Sequence, residues 1–195
     1  MADTQQTGDI ARIVFREILD GDRLKFIAQS NISESGGGAR DLRFRGWDVM
    51  EHVLRKLFPQ KKVAKRRRAG ADTLEIYAGR FYWVRKSDGV EGWQEALLEP
   101  PTDARPNESR ITRVHEYDCF TITAPEEGSG RLMVLFIQKL DGTVWPFVIT
   151  ERSLEHDDWN PVVAEFLLSA LNADRRKNNA AYGFVDFTTG ERLVR

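Results

Sequence analysis

The sequence has little cysteine and no long apolar run, and each absence excludes a class of protein. Cys119 is the single cysteine in 195 residues, so no internal disulfide can form, which fits a reducing compartment. No apolar stretch approaches the roughly 20 residues that cross a bilayer. The first ten residues, MADTQQTGDI, lack the basic and then apolar order of a secretory signal. We therefore expect a cytoplasmic protein with no membrane partner.

The motifs of common catalytic and cofactor sites are also missing. There is no GxSxG elbow, no P-loop and no GxGxxG fingerprint. The histidines are His52, His115 and His156. None of them has metal-ligand spacing with Cys119. A metal-dependent nuclease would need clustered carboxylates with a lysine, and the nearest candidate, Gln138-Lys139, has glutamine in the carboxylate position. The sequence favours a protein without catalysis, and it predicts no metal and no cofactor.

Composition and periodicity predict one main domain with short additions. Apolar residues make up 41% of the chain and charged residues 30%, which indicates a folded domain with a sizeable core. We predict an N-terminal helix within residues 1–21, a main domain over residues 22–172 that includes a closing helix, and a tail over residues 173–195. Asp9 can cap the first helix and Asn160 the closing one. Another helix follows Asp48 and ends at Pro59.

Strand patterns outnumber helix patterns, so the predicted fold class is α+β and dominated by β-strands. A tight turn at Ala78-Gly79 is expected to join two of the strands. A long polar connection over residues 88–110 is of a kind that is usually functional or disordered. The predicted strands cover residues 23–29, 42–44, 73–77, 80–86, 117–124, 131–139, 143–150 and 184–187.

Positive charge is concentrated in one part of a chain whose net charge is only −1. From Arg40 to Arg68 there are eleven Lys or Arg residues against three Asp or Glu. This excess indicates a polyanion as partner, although such runs are usually solvated loops. The polar loop over residues 30–45 contains three consecutive glycines and then three arginines, whose planar forks suit phosphate and the guanine edge. The five tryptophans are scattered, with no stacking pair of the kind that single-strand binders show.

Several motifs in this order resemble one protein family. They are the strand RLKFIAQSN, the loop ISESGGGARDL, the helix end LRKLFP, the segment RPNESRITR, and the strands RLMVLFIQKL and TVWPFVIT. Together they cover roughly residues 23–150 and resemble the N-terminal effector-binding domain of EcoRII-type restriction endonucleases, which is shared with plant B-three-type transcription factors. The helix ending in LFP and the NESRITR segment are the most specific parts.

The resemblance implies a seven-stranded, partly open DNA-binding pseudobarrel with short flanking helices. In this family two arms reach into the major groove of duplex DNA. Carried onto this chain, residues 30–41 are the N-arm and residues 105–113 are the C-arm. In the C-arm, Arg110 would read guanine, Asn107 adenine and Glu108 cytosine, each contact being worth about 1–3 kcal/mol of discrimination. The alternative for Glu108 is a salt bridge to Arg105 or Arg110 that only orders the arm.

The remaining residue assignments also follow from the resemblance. The N-arm candidates for base reading are Ser33, Glu34, Ser35 and Arg40. The candidates for phosphate contacts, which set the register without reading sequence, are Arg43, Arg45, Lys61, Lys62, Arg66, Arg67, Arg105 and Arg113.

The chain departs from the family in two ways. The N-arm has GGGARD in place of a glycine-histidine loop, so a different target sequence is expected. Only 45 residues follow Thr150, too few for a nuclease domain, so cleavage is not implied. The sequence therefore predicts sequence-dependent binding of double-stranded DNA by a specificity or effector module of a bacterial restriction or phage-defence system, working with a nuclease subunit or domain. The alternatives are a small metal-dependent nuclease and a protein-interaction module that binds an acidic partner.

Overall fold

The computed structural model describes residues 8–23, 41–65, 73–84, 88–117, 130–156, 159–173 and 180–195. Most of the strands predicted over residues 23–29 and 117–124 lie outside these ranges. So do the N-arm candidates Ser33, Glu34, Ser35 and Arg40, and the phosphate candidates Arg66 and Arg67. In the described part of the chain, no helix is long and apolar enough to cross a membrane.

The described residues form ten strands and four helices. The strands are β1 (Ile10–Ile18), β2 (Leu42–Arg45), β3 (Gln60–Lys65), β4 (Thr73–Val84), β5 (Glu91–Glu99), β6 (Glu108–Ile111), β7 (Leu132–Lys139), β8 (Val144–Thr150), β9 (Tyr182–Asp186) and β10 (Arg192–Val194). The helices are α1 (Asp20–Arg23), α2 (Trp47–Leu57), α3 (Glu151–His156) and α4 (Pro161–Asn172), with a 3-10 turn at Val114–Glu116.

All ten strands belong to one mixed sheet that curls without closing. Its order is β10-β9-β1-β7-β8-β4-β5-β6-β2, with β3 paired to β4, and only the β4–β8 contact is parallel. The curl brings β2 back towards β1. Arg16 Nε on β1 donates to the carbonyl oxygen of Arg43 on β2 at 2.7 Å. The Phe44 and Tyr182 rings, on β2 and β9, are 6.3 Å apart. The fold is therefore β-dominated α+β, as predicted, with ten described strands in place of seven.

The two faces of the curled sheet bury separate cores. The concave face packs the aromatic rings of Phe44, Phe81 and Phe136 against α2, which contributes Val53 and Leu54. On the convex face, α3 and α4 cover the outer side of β1 and β7. The residues of this second core include Ile13, Phe15, Leu135, Ile137, Leu154 and Leu167. Strands β1 and β7 are thus buried on both faces, as the central strands of a layered domain are.

The predicted N-terminal helix is wrong: residues 10–18 form β1, which lies between β7 and β9. The apolar residues at 10, 13, 14 and 18 imitate helical spacing because both faces of this strand are buried. Val14 points into the concave core, whereas Ile13 and Phe15 point into the convex one. A strand of this kind loses the alternation that identifies a half-buried strand.

The predicted C-terminal tail is also part of the sheet. Strand β9 pairs with β1 from Tyr182 to Asp186, and β10 pairs with β9. The short strand predicted at residues 184–187 is confirmed with a small shift. The closing helix is confirmed as α4, and Asn160 caps it by accepting from the backbone N–H groups of Val162 and Val163.

Two predictions between residues 73 and 110 are corrected. Ala78-Gly79 is not a turn, because β4 runs through it from Thr73 to Val84. Gly79 serves close packing instead, since a Cβ there would lie 2.2 Å from the carbonyl oxygen of Leu57. The polar connection contains a full strand, β5, paired with β4 along its length. Its outward residues are Glu91, Trp93 and Glu95, so the sequence of the strand resembles that of a polar loop.

Candidate nucleic-acid interface

The C-arm and the strand that follows the N-arm pair with one another. Strands β2 and β6 are antiparallel, so that Arg43 lies opposite Arg110 and Arg45 opposite Glu108. Strand β2 is the last strand at its end of the sheet, and β6 connects it to β5. Four predicted site residues that are far apart in sequence are therefore adjacent on two short strands.

Glu108 is the centre of a cluster of guanidinium groups. Its Oε1 accepts from Arg110 Nε at 2.8 Å and lies 2.7 Å from Arg110 Nη2. The same oxygen lies 3.8 Å from Arg105 Nη1 and 3.9 Å from Arg43 Nε. The Glu108 side chain is only 16% exposed. These contacts form the salt bridge from Glu108 to Arg105 and Arg110 that was the alternative to base reading. They also add Arg43 to it.

The electrostatics of this cluster keep Glu108 ionised. Burial alone would raise the pKa of its carboxyl group, because a charge is costly in a poorly hydrated site. The hydrogen bond from Arg110 outweighs this effect, together with the charges of Arg110, Arg43 and Arg105, and the pKa of Glu108 is lowered. The carboxylate therefore remains a hydrogen-bond acceptor at neutral pH, aimed at the arginines.

Asp41 connects the end of the N-arm to the C-arm. Its Oδ2 lies 3.3 Å from Arg110 Nη1, and its Oδ1 accepts from the backbone N–H of Arg113 at 3.4 Å. Arg113 has a left-handed backbone, with φ of 58°, and its side chain bonds Glu116 through Nε at 2.7 Å. Arg110 is consequently held between two carboxylates, Glu108 and Asp41, one from each arm.

Asn107 has a structural contact of its own. Its Oδ1 accepts from the backbone N–H of Trp47 at 2.9 Å, and its carbonyl oxygen accepts from Gly46 N–H at 3.0 Å. Gly46 precedes α2 in a left-handed conformation and offers no side-chain cap. Asn107 therefore supplies an acceptor at the beginning of α2 and fixes the helix to the C-arm.

The other phosphate candidates divide into two groups. Arg45 is exposed on β2 and the Arg113 side chain is 53% exposed, so both lie at the surface beside the cluster. Lys61 and Lys62 lie on β3, which the order of the sheet separates from β6 by β4 and β5. Lys61 Nζ is 2.5 Å from Glu75 Oε2, and Lys62 pairs with Glu95. These two lysines do not join the β2–β6 surface.

Gln138, part of the nearest sequence candidate for a nuclease site, belongs to a structural hydrogen-bond network. Gln138 donates to the carbonyl oxygens of Lys56 and Gly142, at 2.9 and 3.3 Å, and accepts from Arg12. Arg12 and Lys56 also bond the buried Asp186, at 2.9 and 3.0 Å. In the ranges that the structure describes, no group of three His, Cys, Asp or Glu residues could hold a metal ion. This polar network joins β7, α2 and β9.

Burial opposes the ionisation of Asp186, whose side chain is 1% exposed. Hydrogen bonds from Thr188, Lys56 and Arg12 outweigh the burial and hold the pKa of Asp186 well below its usual range. The charged form of Asp186 is therefore the form that the folded chain stabilises.

Sequence reasoning missed the acidic partners of the arginines. Counting charge along the chain gives a local excess of Lys and Arg, but Asp41 pairs with Arg110 from 69 positions away, and Glu99 pairs with Arg105 from the preceding strand. It also treated the tryptophans as scattered, whereas the sheet places Trp93 and Trp145 on either side of Tyr82. The Asp41–Arg110 contact and the grouping of the aromatic residues depend on the order of the strands, so no local signal could have identified them.

Comparison with known proteins leaves the family of this chain open. No family model matches the sequence, no curated protein matches it, and no solved structure matches it. The geometry of the described residues is therefore the basis for a functional assignment.

Proposed function

We propose that this chain binds double-stranded DNA in a sequence-dependent way, with two arms that enter the major groove. In this proposal the curled sheet is the DNA-binding pseudobarrel of the restriction-endonuclease effector family, with further strands added to its edge. The chain acts in the cytoplasm as a specificity or effector module of a bacterial restriction or phage-defence system. The cleaving activity belongs to a partner nuclease subunit or domain.

The observation that carries this proposal is the meeting of the two arms at one carboxylate. Asp41 ends the N-arm and contacts both Arg110 and the backbone of Arg113 in the C-arm. The two segments are about 70 residues apart in the sequence, and the contacts of Asp41 join the end of one to the other. Two loops that clasp one groove start from neighbouring points, so the contacts of Asp41 support the proposal.

The cluster also suggests how binding would become selective. Arg110 has the bidentate geometry that guanine O6 and N7 require, but in the free protein it is bonded to Glu108 and Asp41. A phosphate or a wrong base must compete with two carboxylates for Arg110. A bidentate contact with the correct base compensates for the loss of the bonds to those carboxylates. In this proposal the pairing of the arginines weakens binding to non-cognate DNA more than binding to the cognate site, and this difference in affinity is the specificity.

Selection from a randomised duplex library, followed by sequencing, tests the proposal. At about 150 mM salt, simple phosphate contacts are weakened and base contacts decide enrichment. The wild-type chain should enrich a short motif, and Arg110→Ala should blur that motif at one position. Arg152→Ala, an exposed arginine on α3, is the matched control and should leave the motif intact. Binding without any enriched motif would contradict sequence-dependent recognition.

One observation favours a second candidate, a protein-interaction module. The arginines of the cluster are balanced by Asp41, Glu99, Glu108 and Glu116, so the surface has mixed charge rather than the strong positive field typical of DNA binders. Mixed, paired charges of this kind also occur at the rims of protein interfaces. In the same selection experiment, an interaction module would enrich no motif.

A further inference from the structure

Three aromatic side chains form a row on the convex face of the sheet, which we call the aromatic row: Trp93, Tyr82 and Trp145. Tyr82 on β4 lies directly opposite Trp93 on β5. On its other side, the Tyr82 ring is 5.7 Å from the Trp145 ring of β8, with an angle of 32° between the ring planes. Because the angle is small, the Tyr82 and Trp145 rings form a tilted surface rather than a cage.

The convex face is only partly covered. Ile137 lies opposite Trp145 and belongs to the core beneath α4. Beyond Trp145 the side chains become exposed: Trp93 is 51% exposed, and Phe147 and Val84 flank the row with large exposed fractions. An exposed apolar patch outside a covered core is a common sign of a binding site.

Two cationic side chains lie beside the aromatic row. The Arg80 guanidinium lies over the Trp93 ring, 4.3 Å from its centroid, and Lys139 Nζ lies 5.8 Å from the Trp145 centroid. Lys139 is paired with Asp9 at 2.8 Å. Arg80 differs, because no carboxylate of the described residues lies within ion-pair distance of it. The arginines of the Glu108 cluster are all paired, whereas this exposed one is stacked on an indole and available to an anion.

We propose that the aromatic row binds single-stranded nucleic acid, with unpaired bases stacked on its rings and a backbone phosphate on Arg80. Bases and aromatic rings stack regardless of base identity, because every base has a π-face. An arginine plane offers a further stacking surface and a charge for the phosphate. Glu95, which lies opposite Arg80 on β5, is paired with Lys62, so a backbone phosphate would supply the anionic partner of Arg80 while the rings stack on bases.

This site is separate from the arms and does not rest on the proposed duplex binding. The row lies on β8, β4 and β5, whereas the Glu108 cluster is on β2 and β6. A protein that reads a duplex with one surface could hold a displaced strand with the other. The two activities can be tested independently, since different residues carry them.

The probe is a fluorescein-labelled oligomer of twelve thymidines, titrated with the full chain at about 100 mM salt and followed by fluorescence anisotropy. Stacking on each ring is worth about 1–3 kcal/mol, so Trp93→Ala should weaken binding by roughly 5- to 150-fold. Trp93→Phe, which keeps a ring, should retain most of the affinity. Arg80→Ala should weaken binding and flatten its salt dependence, because one phosphate contact is removed.

The controls are on β10, at the opposite end of the sheet. Val194→Ala removes a partly exposed apolar residue and Arg192→Ala an exposed arginine, and both should bind as the wild type does. Thermal unfolding confirms that each variant is folded. The proposal is overturned if the wild type does not bind the oligomer, or if Trp93→Ala binds equally well. It is also overturned if polyglutamate displaces the oligomer as efficiently as unlabelled oligothymidine, since charge alone would then explain binding.

Discussion

Glu108→Gln separates the structural role of the arginine cluster from a role in reading bases. Glutamine keeps the shape and one acceptor oxygen but removes the charge that faces three guanidinium groups. Charge-assisted hydrogen bonds contribute about 1.5–3 kcal/mol and neutral ones about 0.5–1.5, so we expect a loss of about 1–2 kcal/mol in the free energy of unfolding. In a chain of this size that loss lowers the melting temperature by about 2–8 °C.

The same variant should bind non-cognate DNA more tightly. Removing one negative charge releases Arg43, Arg105 or Arg110 for a phosphate, and one added phosphate contact steepens the plot of log K against log salt by about 0.9. The measurement is anisotropy of a labelled random-sequence duplex between 50 and 200 mM salt. Glu165→Gln is the matched control: Glu165 is an exposed carboxylate on α4, so its substitution removes one negative charge without releasing an arginine of the cluster. Unchanged stability together with an unchanged salt slope would refute the cluster as a restraint on the arginines.

Three further predictions concern the fold. Asp186→Asn leaves Arg12 and Lys56 without their buried carboxylate and should cost about 3–5 kcal/mol in chemical unfolding. Because the folded pKa of Asp186 is depressed, its contribution is present above about pH 4 and is lost as pH falls, so the variant should show a flatter acid limb; an unchanged limb would contradict this. Gly79→Ala should reduce the yield of folded protein, since its Cβ meets Leu57 O at 2.2 Å, and a normal melting temperature would disprove the clash. Asn107→Ala removes the acceptor at the start of α2 and should cost about 1 kcal/mol, measurable by urea unfolding; equal stability would contradict it.

Elements with one clear period could be predicted from the sequence. Strands β7 and β8 and helices α2 and α4 were all identified, because a run of apolar residues or a helical stripe ends at recognisable turn or cap residues. Strand β1 could not, because Arg12, Arg16 and Glu17 interrupt its apolar residues and leave a helical spacing, whereas β7 has an unbroken apolar run. Strand β5 was missed for a different reason: its outer face has Glu91 and Glu95, and its inner face has Gly92. The Trp83 indole covers Gly92 and fills the space that a side chain would need.

The candidate site was predictable in composition but not in connectivity. The arginines and the polar C-arm were identified by residue type, and the structure places Arg43, Arg45, Glu108 and Arg110 on two paired strands. The register between β2 and β6 joins residues about 65 positions apart, and no local pattern specifies such a register. The aromatic row depends in the same way on a parallel contact between β4 and β8. Strand order, which is a property of the whole chain, decides both surfaces.

The position of β1 has a consequence for how the chain is made. Its partners are separated from it by most of the sequence, since Ile13 lies opposite Ile137 in β7 and Val185 in β9. At about 5–20 residues per second, a ribosome needs roughly 6–25 s to make the first partner after β1 has emerged. During that interval β1, which has two apolar faces, has no partner strand. We expect co-translational chaperone capture of nascent chains shorter than about residue 140, and ribosome profiling of chaperone-bound chains would detect it; uniform capture along the chain would contradict the expectation.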